Sequence, residues 1–127
     1  MKQSVMLTIT SVLSILLFTI HVADDIARGF EKGGVWNLTA VPIFVVWLYG
    51  TLVLAERRSG YVIMLLGSLL GLAAPVLHMS GRGVGEIAKT SGGVYFVWTL
   101  LALGVTALFS LILSARGLWG LLRSRPR

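Results

Sequence analysis

Four stretches free of Lys, Arg, Asp and Glu dominate this chain: residues 4–23, 38–55, 61–79 and 93–115. About 18 apolar residues in a row suffice for a membrane span. At about 1.5 Å per residue, helices of this length cross a hydrocarbon core of about 30 Å. The expected fold is therefore all-α: an integral membrane protein with four transmembrane helices in an up-down-up-down bundle. Composition agrees. The chain has 127 residues, 56% of them hydrophobic and only 13% charged, against about 25% charged in ordinary soluble domains. A small soluble domain has too little interior to hide that much apolar surface, whereas lipid covers it. Residues 1–127 read as one domain, with no internal repeat.

The first stretch has Lys2 in front, as a signal peptide would, but its apolar run exceeds the usual length of about 7–15 residues. It ends Ile20-His21-Val22-Ala23, with His where a cleavage site wants a small residue. It is expected to be a retained anchor. Orientation follows from the basic residues of short loops. Four spans would put Lys2, Arg57, Arg58, Arg116, Arg123, Arg125 and Arg127 on one side, and Arg28, Lys32, Arg82 and Lys89 on the other. The richer side is expected to be cytoplasmic, with both termini on it.

There is no cysteine, which excludes disulfides, thiolate metal sites, iron–sulfur clusters and covalent haem attachment. The net charge is +6, but the basic residues are spread along membrane edges, so no nucleic-acid partner is implied. The expected partners are the lipid bilayer itself, anionic lipid at the basic C-terminal tail (Arg116, Trp119, Arg123, Arg125 and Arg127), and further copies of the chain or other membrane subunits. Gly67 and Gly71 form a GxxxG pair. Ala102, Thr106, Ser110 and Ser114, and likewise Ser4, Thr8 and Ser11, make small weakly polar stripes that read as helix–helix seams. Trp36 and Trp119 fall where aromatic belts belong. Trp47, Tyr49 and Trp98 lie deep in their spans, where core packing is expected. Pro42 suits a helix start, with Asn37 as its cap. Pro75 is expected to bend the third helix between Gly71 and His78.

Chemistry concentrates at His21-Val22-Ala23-Asp24-Asp25. If the first helix continues that far, spacings of three and four bring His21, Asp24 and Asp25 together on one face. Arg28 can pair with either aspartate. The other histidine, His78, ends the third stretch one turn after Pro75. The first and third spans run the same way, so the chain's 2 histidines share one membrane level.

Three readings follow. One is an ordinary solvated helix end, with Arg28 as local partner. Another is a metal site of His21, Asp25 and His78, with Asp24 next in line: two neutral imidazoles and a carboxylate suit iron, copper or zinc. Two facing histidines alone suit b-type haem. The last is a proton or cation relay through the same residues. The Gly83–Thr90 segment resembles a phosphate-binding loop, but Ala88 stands where glycine is required and no strand precedes it. At the level of function, the sequence favours a structural or accessory subunit rather than an enzyme. A metal- or haem-binding redox protein and a small transporter or channel subunit are the alternatives.

Overall fold

The computed structural model describes residues 2–80 and 83–124. Arg82, Arg125 and Arg127, counted above for orientation and lipid contact, lie outside the described residues. The described chain is all-helical, with no strand. In order come α1 (Gln3–Ala27), a 3-10 turn (Gly34–Trp36), α2 (Val41–Leu52), α3 (Arg58–Met79), α4 (Gly83–Ala88) and α5 (Gly93–Arg123). Helices α1, α3 and α5 are long and apolar enough to cross a membrane.

The second stretch does not form a helix of spanning length. Helix α2 has 12 residues, about 18 Å at the usual rise. Its boundaries have local causes. Pro42 sits in its first turn, and Leu38–Ala40 form a turn before it, with the Val41 N–H bonded to the Leu38 carbonyl. Asn37 does not cap α2; its side chain donates to the Lys32 carbonyl and accepts from the Thr39 N–H, so it closes the preceding loop. At the other end the chain reverses through Glu56, at φ 64°. Gly60 is required there, because a Cβ would lie 2.0 Å from the Leu54 carbonyl oxygen.

Many large apolar side chains face out, while several serines face in beside a core of Leu7, Trp47 and Met64. Leu16, Leu66, Val105 and Phe109 are each more than half exposed, whereas Ser11, Ser14, Ser68, Ser110 and Ser114 are fully buried. Water would favour the reverse; lipid permits it, since small interfaces let helices approach and hydroxyls bond between them. Ser68 donates to Ser110 Oγ at 2.8 Å. Ser11 meets Thr51 at 2.7 Å and accepts the Trp47 indole N–H at 3.0 Å. These bonds hold α3 to α5 and α1 to α2.

The GxxxG pair serves two neighbours. A Cβ at Gly67 would strike the Trp47 ring on α2, and one at Gly71 would press on Ala107 of α5. The α5 stripe is only partly a seam: Ser110 and Ser114 are buried, while Ala102 is exposed. Of the three deep aromatics, Trp47 packs in the core at 1% exposure, but Tyr49 and Trp98 face outward at 52% and 67%. Helix α3 runs unbroken through Pro75 to Met79. The ring of Pro75 is accommodated by Gly104 on α5, where a Cβ would come within 3.3 Å.

Contacts set the helix directions. Phe18 packs on Phe44, and Ser11 bonds Thr51, so α1 and α2 run in opposite senses. Gln3 donates to the Leu113 carbonyl, and Tyr61 packs on Gly117. The starts of α1 and α3 thus lie beside the late turns of α5. Their far ends, with both histidines, meet the first turn of α5.

Candidate metal centre

Helix α1 continues through the aspartates to Ala27. Gly29, at φ 75°, follows the Arg28 cap and turns the chain away, while the Phe30 N–H bonds the Asp25 carbonyl at 2.9 Å. A left-handed glycine just past a helix is a common stop signal. The extension moves the negative pole of the helix beyond the aspartates. It also puts His21 and Asp25 in register: His21 Nε2 lies 3.3 Å from Asp25 Oδ2.

The two aspartates diverge. Asp25 points inward and is 8% exposed. Asp24 points along the surface and pairs with Arg28 Nε at 3.0 Å. Asp24 therefore stands outside the inward cluster. Arg28 ties this helix end to the loop before α5, donating to Thr90 Oγ1 at 2.8 Å and to the Ser91 carbonyl. Its guanidinium also lies 5.3 Å from the Phe96 ring centroid.

His78 arrives from the last turn of α3. Its Nδ1 lies 2.9 Å from the Ala74 carbonyl. A carbonyl only accepts, so Nδ1 carries the hydrogen and Nε2 of a neutral ring keeps its lone pair. That Nε2 lies 3.6 Å from Asp25 Oδ1. The imidazoles of His21 and His78 meet edge to face, with centroids 4.7 Å apart. Phe96, 1% exposed, closes one side, 5.3 Å from His21 and 5.7 Å from His78. Phe18 stacks on His21 from the interior.

Two buried polar atoms in the cluster have no hydrogen-bond partner: His21 Nδ1 and Asp25 Oδ1. Each such orphan costs about 1–3 kcal/mol, and more when charged. One donor atom each from His21, Asp25 and His78 can be chosen so that all lie within 4.8 Å of one another. Two ligands of tetrahedral zinc, at about 2.0–2.1 Å from the ion, stand about 3.3–3.5 Å apart. The two His–Asp separations of 3.3 and 3.6 Å, one to each carboxylate oxygen, are close to that edge. Where a pair lies near the 4.8 Å limit, closing by about 1.3–1.5 Å brings both atoms to the tetrahedral edge of one zinc ion. His78 donates its Nδ1–H to a carbonyl, as metal-bound histidines usually do with the ring nitrogen that does not hold the metal.

A b-type haem does not fit between these histidines. A porphyrin needs a slab of space between its axial rings, and here the rings touch edge to face. The cavity beside His78 and Phe96 measures about 10 Å³, room for about one water.

The shared level of the two histidines and the pairing options of Arg28 are readable from the sequence. Phe96 as the closing wall, and Thr90 and Ser91 as anchors of Arg28, are not. The usable signal was that α5 must begin at the level where α1 and α3 end. The phosphate-loop resemblance has no structural counterpart: Gly83–Ala88 is the short helix α4, and Glu86 and Lys89 pair on the surface at 2.8 Å. Comparison with known proteins found no matching family model, no similar curated protein and no similar solved structure.

Proposed function

We propose that this chain is a multi-pass membrane protein that binds one divalent first-row transition metal ion, of the zinc class, through His21, Asp25 and His78. The observation that carries the reading is a buried cluster of two imidazoles and a carboxylate in which His21 Nδ1 and Asp25 Oδ1 have no hydrogen-bond partner and His78 Nε2 faces the carboxylate. Unpaired polar atoms are costly in a low-dielectric interior, and a cation held between the imidazoles and the carboxylate would offset that cost. Three protein ligands leave one position of a tetrahedral ion open.

The remaining features fit a four-crossing arrangement. Helix α2 with its apolar flanks completes the second crossing, both termini are cytoplasmic, and the metal cluster sits at the outer boundary. The small-residue seams that favoured an accessory subunit are used within the chain, against Trp47, Ala107 and Ser110, so they no longer speak for an external partner. A carboxylate between two imidazoles also suits proton sharing, and the same contacts support a relay as the second reading.

Metal titration of purified protein, with cobalt as optical probe and zinc as competitor, separates the two. The metal reading expects one ion per chain and affinity reduced at least about tenfold by His21→Ala, Asp25→Asn or His78→Ala. Binding no stronger than that of the triple variant would overturn it and leave the relay.

A further inference from the structure

Independently of the metal centre, we infer that the notch around Gly120 on α5 is a binding site for the phosphate of an anionic glycerophospholipid. Helix α5 outlasts its neighbours. Gln3, the first residue of α1, bonds the Leu113 carbonyl, and Tyr61, in the first turn of α3, packs on Gly117. Beyond Gly117 the helix continues to Arg123, projecting about 9 Å past those starts. At this end of the membrane-crossing helices, that is headgroup depth.

The projecting turns carry a built recognition surface. Arg116, Trp119, Gly120 and Arg123 follow at spacings that place them on one helix face. They line an open cleft of about 540 Å³ with Ala115. Gly120 makes the notch: a Cβ there would have nothing within 4 Å, so the space between the arginines is clear. Arg123 lies over the Trp119 ring at 4.9 Å, which orders its guanidinium. Among the described residues, neither Arg116 nor Arg123 has an Asp or Glu oxygen within ion-pair distance. Two unpaired guanidiniums beside an interfacial indole match a phosphodiester in donors and charge, and Arg forks bind phosphate in pairs of bonds. Leu121 and Leu122 extend the apolar surface beside the notch and are themselves exposed, so acyl chains can lie against them. This chemistry selects a lipid phosphate over an acidic peptide.

Native mass spectrometry of the full chain released from detergent, supplied with phosphatidylglycerol or phosphatidylcholine, tests the site. The expected result is one retained phosphatidylglycerol per chain and background retention of phosphatidylcholine. The double variant Arg116→Gln/Arg123→Gln is expected to lose retention at least tenfold. Arg57→Gln/Arg58→Gln, an equal loss of charge at the same end, is expected to retain the lipid. All four side chains are exposed, so neither variant disturbs the core. Equal losses in both double variants would reduce the site to diffuse attraction and overturn it. Displacement of the lipid by millimolar inorganic phosphate would show a free-anion site and overturn the lipid assignment.

Discussion

His78 Nε2 faces Asp25 Oδ1 at 3.6 Å while its Nδ1 donates to the Ala74 carbonyl at 2.9 Å. With the ring neutral, two acceptor atoms meet there. A neutral amide in place of the carboxylate can turn an N–H toward that lone pair. Asp25→Asn is therefore expected to leave the metal-free protein as stable as wild type or more so, by up to about 1 kcal/mol. With saturating zinc the order reverses, since wild type gains binding energy that the variant lacks. Thermal unfolding with and without chelator checks both halves.

Arg28 ties the end of α1 to the loop before α5 beside the cluster. It joins Asp24 to Thr90 and Ser91 and covers Phe96. Arg28→Ala is expected to speed metal exchange several-fold while changing equilibrium affinity less than His78→Ala does. Stopped-flow release to a chelator reads the rate. An unchanged rate with lowered affinity would show Arg28 acting on the bound state instead.

Gly67 and Gly120 make a matched pair of glycines with opposite expectations. Gly67→Ala drives a Cβ into the Trp47 indole, which the Ser11 bond holds in place; a loss of about 1–3 kcal/mol is expected. Gly120→Ala meets open space and is expected to gain up to about 1 kcal/mol from helix propensity. Chemical denaturation in mild detergent gives both values.

Ser11 accepts the Trp47 N–H and contacts the Thr51 hydroxyl, all three fully buried. Ser11→Ala leaves the indole donor unpaired and is expected to cost about 1–3 kcal/mol. Thr51 retains its bond to the Trp47 carbonyl, so Thr51→Val is expected to cost less.

Much of this protein is legible in one dimension. Charge-free runs define three helices long and apolar enough to span a bilayer, because length and apolarity are properties of a segment alone. The i,i+4 step from His21 to Asp25 is equally local, and the common direction of α1 and α3 follows from counting crossings. Other features depend on what each segment meets. The second run is as apolar as the others, yet its helix stops at Leu52, and the chain turns through Glu56 with the Leu54 carbonyl packed close to Gly60. Asp24 and Asp25 are adjacent in sequence, but one turns to Arg28 and the other to His78, since successive helix positions stand about 100° apart and only one can face inward. Pro75 announces a bend, and only the packing shows that Gly104 on α5 gives its ring room within a continuous helix. Periodicity and composition determine which residues can reach the interior of the membrane domain. Which of them share a site is decided by packing, because a contact is a property of two segments and the intervals between them.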